Sequence, residues 1–334
     1  MSDVKRFPAG RAPGHQAAPR QSRDTTGVRA LHARAGGHGA AAHTPGPTDA
    51  PVGQGADTRA RAAFLRACDL DVAVRKPGNV SLASPGHGMQ AAQFVASARV
   101  AADALFAPGA RVGERIEGAI TATLAAAGCN TNLGIVLLAA PIAAAAERAT
   151  VGGSDALCRA VGEVLVGLDI EDAAAAYRAI VMARPGGLGR VARADVHTPP
   201  RIGLREAMRL AASRDSIARQ YDNGFADLFE TGLPALCAGD GEAAAVQRVF
   251  LTYLARWPDS HIVRKFNAGV AQRVMNDARV WLERAHAGAA LDADPAFAAW
   301  DEALKAQRIN PGTSADLTVA TLMLDGLARP AGTR

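Results

Sequence analysis

The chain has 334 residues, a length at which about two domains of roughly 150 residues each are usual. Its 37 lysines and arginines against 32 aspartates and glutamates give a net charge of +5, and 49% of the residues are hydrophobic, as in a globular protein with a sizeable core. Seven of the basic residues and three of the acidic ones fall within residues 1–56, so the remainder is almost neutral. Nucleic-acid-binding proteins present a clustered basic face, and this balance argues against that class.

The spacing of the cysteines and the composition of the apolar segments indicate the cellular compartment of the protein. The four cysteines are scattered without the CxxC spacing of a zinc site, which predicts reduced, structural cysteines. No apolar segment typical of a secretion signal follows the N-terminus. The longest uncharged run, Leu124–Ala146, contains Asn130-Thr131-Asn132 and Pro141, and a membrane span would have to bury these amides. We therefore expect a cytoplasmic protein without membrane contact, in which this run enters the core.

The first 56 residues differ in composition from the rest. Residues 1–56 hold nine glycines and six prolines and show no apolar period, so they cannot bury enough surface to offset the entropy lost on ordering. We expect residues 1–56 to form a disordered, basic arm rich in Gly, Pro and Ala. Residues 57–334 are then expected to form one all-helical domain.

Helical periodicity dominates from Asp57 onward, and Asp57 is placed to cap the first helix. Apolar residues recur at helical spacing over Phe64–Val72, Phe94–Leu105 and Ile116–Ala127, and Leu133–Ala146 is apolar on most sides, which predicts a central helix. Further helices are predicted near residues 154–168, 171–182, 203–222, 225–237, 241–256, 262–287, 295–308 and 314–328. Because alternating β-branched runs are almost absent, the sequence predicts an all-α fold, a single bundle of roughly ten helices.

Polar residues gather at five joints between these helices. The first is Lys76-Pro77-Gly78-Asn79, where the proline ends a helix and a lysine beside open glycine backbone suits a phosphate. The alternative is a plain turn, because Pro-Gly is common in turns.

The second joint is Asn130-Thr131-Asn132-Leu133-Gly134, which opens the central helix. Its side chains and free N–H groups either bind an anion or nucleotide or only cap the helix.

The other three joints lie in the second half of the chain. Arg184–Arg190 is rich in glycine but lacks the Gly-Lys-Ser/Thr ending of a P-loop, which predicts a flexible joint or lid. Asp259–Lys265 combines an aspartate, a histidine and two cations, which can hold a metal–phosphate group and move a proton or can form an ordinary helix start. In Asn310–Asp316, Ser314 caps the last helix, and Asp316 suits either Mg²⁺ or the helix dipole alone.

Taken together, four of these joints resemble the motifs of the triphosphoribosyl-dephospho-CoA synthase family. The matching runs are Lys76-Pro77-Gly78, Asn130-Thr131…Gly134, Asp259…Arg264 and Pro311-Gly312-x-Ser314-Ala315-Asp316, and the resemblance covers about residues 60–328. Members of that family are all-helical; they take ATP and 3′-dephospho-CoA, release adenine and join the triphosphoribosyl unit to the acceptor ribose. The resemblance implies a transferase with ATP as substrate, Mg²⁺ as cofactor and a CoA-like acceptor as partner.

The resemblance also assigns roles to the matching positions. It places Lys76 and Arg264 on phosphates, and Asp259 and Asp316 near Mg²⁺ or the ribose. The candidate catalytic residues are Asp259, His261 and Asp316, of which Asp259 and Asp316 are also the candidate metal ligands. The candidate nucleotide-binding residues are Lys76, Gly78, Asn79, Asn130, Thr131, Asn132, Arg264 and Ser314.

Three segments depart from the family's motifs. Where the family has Asn-Thr-His-Lys-Gly, this chain has Asn132 and Leu133 in place of the His-Lys pair. Where the family has Arg-Gly-Glu-Ala, this chain has Gln220 in place of the glutamate. The segment that corresponds to the family's Gly-Ser-His-x-Asp-Met is Pro85–Met89, which lacks the aspartate. His87 and His261 are the histidines available to replace the lost base. Two alternatives stay open: a divergent enzyme of one-carbon (tetrahydromethanopterin-type) cofactor biosynthesis, and a non-catalytic nucleotide-binding or assembly protein. The sequence also leaves open whether the chain forms a homodimer.

Overall fold

The structure is a computed structural model that describes residues 52–148, 153–236 and 241–329, with side chains from Thr58 onward. Within these ranges the regular structure is helical, and β structure is limited to a single bridge between Gly86 and Met89. The all-α prediction is therefore confirmed. The described helices belong to one unit, Asp49–Arg334. The arm expected over residues 1–56 lies outside the described residues except for its last five, whose backbone opens the first helix.

The helices of the described ranges are numbered in chain order. The N-terminal half contains α1 (Val52–Ala73), α2 (Ala91–Leu105), α3 (Val112–Ala127), α4 (Leu133–Arg148), α5 (Gly153–Val166) and α6 (Ile170–Ala183). The C-terminal half contains α7 (Leu204–Arg209), α8 (Ser216–Asn223), α9 (Leu233–Leu236), α10 (Glu242–Arg256), α11 (Ser260–Lys265), α12 (Ala268–His286), α13 (Pro295–Ala306) and α14 (Gly312–Ala328). A turn of π-helix, Leu228–Gly232, leads directly into α9.

Helix α4 is the central helix that its composition predicts. From Leu133 to Ala146 every residue except Gly134 is buried, and its neighbours are α1, α2, α3, α5, α8 and α14. Asn130 caps α4 by accepting a hydrogen bond from the Leu133 N–H at 3.1 Å, which ties the second polar joint to a rigid element. No single helix in the described ranges is long and apolar enough to cross a membrane; α4 and α5 meet that test only as a pair, bent by 110°.

Helix α1 begins earlier than predicted. It starts at Val52, whereas the sequence predicted a start at Asp57. The residues between these positions include no proline, and Pro51 immediately precedes Val52 in the sequence. A proline is well tolerated at the very start of a helix because the N–H it lacks would have no intrahelical partner there. The first helix therefore extends into the segment that was expected to be disordered.

Two long predicted helices are each broken by a side-chain cap. The helix predicted over 203–222 is divided into α7 and α8, because Asp215 accepts hydrogen bonds from two backbone N–H groups of α8 and starts a new helix. The helix predicted over 262–287 is divided at Asn267, whose side chain caps α12 in the same way. The helix predicted over 225–237 is the π-helical turn followed by α9.

The loop after α1 is held by a buried ion-pair network. Asp301 on α13 is fully buried and accepts hydrogen bonds from the Gly78 N–H at 2.8 Å and from the Lys305 ammonium at 2.9 Å. Lys305 also donates to the Ser84 carbonyl at 3.2 Å. The network therefore fixes two points of the loop that carries Asn79, a residue of the cleft described below.

Replacement of Asp301 by alanine is expected to lower the free energy of unfolding by about 3–5 kcal/mol, because the buried Lys305 ammonium loses its carboxylate partner. Chemical denaturation followed by circular dichroism measures this change. The control is Asp103→Ala, which removes an exposed ion pair with Arg61 and is expected to cost less than about 1 kcal/mol. Equal, small effects of the two substitutions would contradict the structural role of Asp301.

Candidate active site

All five polar joints of the sequence contribute to one cleft with a volume of about 1170 Å³. The first three joints supply Asn79, residues 130–134 and residues 184–189. The fourth and fifth joints supply parts of residues 261–265 and 310–316. Pockets for one drug-sized ligand usually measure about 300–1,000 Å³, so this cleft has room for a nucleotide and a second molecule.

Asp316 places a carboxylate at the point where α14 meets the start of α4. Its Oδ2 lies so close to Gly134 that a Cβ atom at that position would overlap it. Within the described part of the chain this carboxylate accepts no hydrogen bond and forms no ion pair. It lines the cleft and is therefore the acidic group best placed to meet a ligand.

The charges around Asp316 are unbalanced. Burial raises the pKa of the Asp316 carboxyl well above its usual range, the carboxylates of Asp71 and Asp259 raise it further, and the Arg264 guanidinium opposes them. Asp71 also lines the cleft, and its Oδ1 lies 3.1 Å from the Lys76 ammonium. The surroundings of Asp316 are short of positive charge and favour a bound cation or a centre that becomes cationic.

Five cationic side chains line the same cleft. They are Arg184, Arg193, Arg214, Arg264 and Lys265. Arg264 lies 3.3 Å from Asp215 Oδ2 and donates through Nε to the Gly186 carbonyl at 3.0 Å. The other four form no ion pair within the described residues, so their charge is available to an anion.

The glycines of the third joint allow it to approach α11 closely. Gly187 has a φ of 76°, and a Cβ atom there would collide with the Arg264 carbonyl oxygen. Only glycine meets both conditions without strain. This contact and the hydrogen bond from Arg264 to Gly186 hold residues 184–189 against α11, where the segment contributes to the wall of the cleft.

His261, in the first turn of α11, is a neutral imidazole in the cleft. Burial, together with the positive charges of Arg264 and Lys265, lowers the pKa of His261 to about 3. The ring therefore carries a lone pair at neutral pH. Its Nδ1 lies against Gly312, where a Cβ atom would overlap it. Gly312 is one helical turn before Asp316 on α14, so the imidazole and the carboxylate lie by adjacent turns of one helix.

Two of the three polar residues before α4 are paired within the protein. Asn130 caps the helix, and Thr131 donates to the Ser97 hydroxyl on α2 at 2.7 Å. Asn132 is 5% exposed, and neither its Oδ1 nor its Nδ2 has a hydrogen-bond partner within the described residues. All three line the cleft, so the run both caps the helix and contains one buried, unpaired amide.

Four candidate residues lie behind the cleft lining. Both Asp259 oxygens accept hydrogen bonds, Oδ1 from the first turn of α11 and Oδ2 from the Ser314 N–H and hydroxyl at 2.8 Å each. Lys76 is fully buried with its ammonium against Asp71. Gly78 is bound to α13 through its N–H. The structure thus brings His261, Asp316, Asn79, Asn130, Thr131, Asn132 and Arg264 into the cleft, but not Asp259, Lys76, Gly78 or Ser314.

Several residues of the cleft have no distinguishing signal in the sequence. Asp71 lies in the last turn of α1, where an acidic residue beside an apolar stripe is normally solvated. Asp215 is recognisable in the sequence as a candidate helix cap, because it lies two residues before the apolar Ile217. Arg193 and Arg214 lie outside the five joints, and only the folded chain brings them to the cleft.

Gly134→Ala is expected to reduce kcat by about 100-fold, because the new methyl group displaces the Asp316 carboxylate by a distance on the order of 1 Å. Steady-state kinetics and thermal unfolding of the variant test this. The matched control is Gly162→Ala in α5, where the added Cβ atom meets nothing within 4 Å. That substitution is expected to stabilise the helix by about 1 kcal/mol and to leave kcat unchanged. Equal activities of the two variants would contradict the placement of Asp316.

Comparisons with known proteins identify the family of the chain. The sequence profile of the CitG family, described as ATP:dephospho-CoA triphosphoribosyl transferase, matches residues 57–334. The fold is similar to the crystal structure of an Archaeoglobus fulgidus protein assigned as a triphosphoribosyl-dephospho-CoA synthase, with a TM-score of 0.56, 23% sequence identity and coverage of 70% of this chain and 98% of that chain. No curated protein matches the sequence. The chain belongs to the CitG family of ATP:dephospho-CoA triphosphoribosyl transferases.

Proposed function

We propose that this cleft transfers the triphosphoribosyl group of ATP to the 2′-hydroxyl of 3′-dephospho-CoA. The bond between C1″ of the ATP ribose and N9 of adenine breaks, a bond forms between C1″ and the acceptor oxygen, and the hydroxyl proton is passed on, with adenine as its final acceptor. The observation that carries the proposal is the combination, in one cleft, of the unpaired Asp316 carboxylate and five cations. These groups match a substrate whose sugar becomes cationic and whose phosphates are anionic.

The cations are the proposed triphosphate site. Arg184, Arg193, Arg214 and Lys265 are free of ion pairs within the described ranges, and Arg264 is tethered by Asp215 and Gly186. Guanidinium groups bind phosphate oxygens through two parallel hydrogen bonds, which fixes the orientation of the phosphate chain as well as its position. The triphosphate stays on the product, so these contacts hold the group that is transferred.

Asp316 is the proposed electrostatic partner of the anomeric carbon. As the bond to adenine breaks, positive charge develops at C1″ and on the ring oxygen of the ribose. A carboxylate without an ion pair stabilises that charge more in the transition state than in the ground state, because the substrate sugar is neutral. The pKa of Asp316 is raised by burial and by the Asp71 and Asp259 carboxylates, which supports a site where a developing positive charge is stabilised.

His261 is the proposed acceptor of the hydroxyl proton. Its ring is neutral and lines the cleft beside Gly312, which lies one helical turn before Asp316 on α14. Arg264 and Lys265 contribute to its low pKa. A bound triphosphate cancels part of their charge, so the proton affinity of His261 rises when ATP is present. His261 would replace the base that this chain lacks, because Asn132 and Leu133 stand in place of the family's His-Lys pair.

The surroundings of Asp316 also fit Mg²⁺. No group of three or more His, Cys, Asp or Glu side chains in the described ranges could hold a metal by itself. Mg²⁺, however, is usually held by one or two carboxylates together with substrate phosphates. Asp316 would supply one of these carboxylates, because it is unpaired within the described chain. Asp71 would supply the other through Oδ2, because its Oδ1 forms an ion pair with the Lys76 ammonium at 3.1 Å. Asp259, the second ligand expected from the sequence, has both oxygens in hydrogen bonds. Bound Mg²⁺ would neutralise part of the triphosphate charge.

Calorimetric titration of the full chain with ATP, AMP and adenosine tests the triphosphate site. We expect affinity to fall in that order, and the affinity for ATP to fall further with rising salt, because each lost phosphate removes contacts with the cations. Arg264→Ala should reduce the difference between ATP and AMP. Equal affinity for ATP and adenosine would contradict the proposed site.

A further inference from the structure

The unpaired amide of Asn132 requires an explanation that helix capping does not give. Asn132 is 5% exposed and lines the cleft, yet both polar atoms of its side chain lack partners within the described residues. A buried donor or acceptor without a partner costs free energy, so such groups are rare in folded proteins unless a ligand or water completes them. Asn130 and Thr131, its neighbours, are paired within the protein.

The chemistry of an amide restricts what its ligand can be. The side chain offers one acceptor, Oδ1, and one donor group, Nδ2, in one plane. A phosphate offers only acceptors and would leave Oδ1 unpaired. Adenine offers a donor and an acceptor side by side, the N6 amino group and N7, and asparagine pairs with both at once in other settings. A nucleotide base therefore satisfies both atoms of Asn132.

The neighbouring residues also suit a base. Phe94 lines the cleft from α2, one helical turn before Ser97, which accepts the hydrogen bond of Thr131. A second contact, from Gln93 Nε2 to Cys129 Sγ at 3.9 Å, joins the same turn of α2 to the residue just before Asn130. The Phe94 ring is thus held near the segment that carries Asn132, and an aromatic ring is the usual stacking surface for a base.

The positions of Asp316 and Arg264 are compatible with the order of groups in ATP. Asn132 is two residues before Gly134, against which the Asp316 carboxylate lies. Arg264, which carries part of the triphosphate in the proposed function, is within electrostatic range of Asp316. A base at Asn132 and a ribose at Asp316 therefore leave the phosphates for the cations.

We propose that Asn132 binds the adenine of ATP through N6 and N7 and assists its departure; this inference rests on the proposed function. When the bond between C1″ and N9 breaks, its electron pair passes to the purine. The Nδ2 donor at N7 then faces more negative charge than it did in the substrate, so its hydrogen bond strengthens in the transition state. The asparagine would thereby select adenine and stabilise the leaving group.

The test is a double-mutant cycle between Asn132 and N7 of the base. The dissociation constants of ATP and 7-deaza-ATP, which lacks the N7 acceptor, are measured by calorimetry without the acceptor substrate, and kcat/KM is measured with it. For the wild-type chain we expect 7-deaza-ATP to bind roughly 10-fold more weakly. Asn132→Ala should weaken ATP binding similarly and remove most of the difference between the two nucleotides. Asn132→Asp, which keeps the shape but loses the donor, should do the same.

The matched control is Asn79→Ala. Asn79 is also 5% exposed, lines the cleft and has an unpaired Oδ1, but its Nδ2 is bound to Asn310 at 3.0 Å. This variant should keep the full preference for ATP over 7-deaza-ATP. The inference is overturned if the Asn132 variants keep that preference or if Asn79→Ala removes it. If the wild-type chain does not bind ATP, the proposed function fails as well.

Discussion

Asp316→Asn is expected to lower kcat by about 1000-fold with little change in the dissociation constant of ATP measured without Mg²⁺. The amide keeps the shape of the side chain but removes the negative charge that faces the developing cation at C1″. Because the pKa of Asp316 is raised in the folded protein, its ionised form opposes folding at neutral pH. The variant should therefore unfold at the same or a higher temperature. Steady-state kinetics, calorimetry and thermal unfolding measure the three quantities.

The control for this substitution lies on the same helix. Asp325 on α14 pairs with Arg329 at 2.7 Å and does not line the cleft. Asp325→Asn should leave kcat within about twofold of wild type, since an exposed pair of this kind contributes little. Activity of Asp316→Asn near that of wild type would remove Asp316 from the chemistry, and a large loss of stability would show a structural role instead.

The second large effect is expected for His261→Gln, which should lower kcat by about 10²–10⁴-fold, the usual contribution of a general base. Glutamine keeps a polar group in the cleft but cannot take the proton of the acceptor hydroxyl. ATP binding, measured by calorimetry, should change little, because the cations and not His261 hold the triphosphate. Single-turnover kinetics separate the chemical step from product release.

His286→Gln is the matched control, because His286 is exposed in the last turn of α12, away from the cleft. It should be fully active. If His261→Gln is equally active, the base is another group, and His87, which also lines the cleft, becomes the first candidate. The pKa of His87 is lowered by burial, so its ring is neutral as well.

The sequence predicts the fold well where apolar periodicity decides it. The central helix is correctly predicted, because Leu133–Ala146 has no polar face to place in water. The pattern does not predict the breaks at Asp215 and Asn267, because apolar residues continue across them and the side-chain caps interrupt the helices locally. Similarly, α1 begins at Val52, five residues before the cap expected at Asp57.

The position of the cleft is predictable from the sequence, but the direction of each side chain is not. The five joints are visible as polar interruptions, and the structure brings a part of each to one place. Whether a residue at a joint faces the ligand or the protein depends on its partners. Asp259 accepts hydrogen bonds from Ser314, and Lys76 forms an ion pair with Asp71. The side chains of Asp316 and Asn132, in contrast, have no hydrogen-bond partner in the described chain.

The measurement that tests the central claim most directly is product analysis with the full chain. The protein is incubated with ATP, Mg²⁺ and 3′-dephospho-CoA, and the mixture is analysed by liquid chromatography and mass spectrometry. We predict that adenine and a triphosphoribosyl conjugate of 3′-dephospho-CoA appear in equal amounts, and that Asp316→Asn abolishes both. Binding of ATP without release of adenine, or cleavage of its phosphates in place of the glycosidic bond, would contradict the assignment of this cleft to triphosphoribosyl transfer.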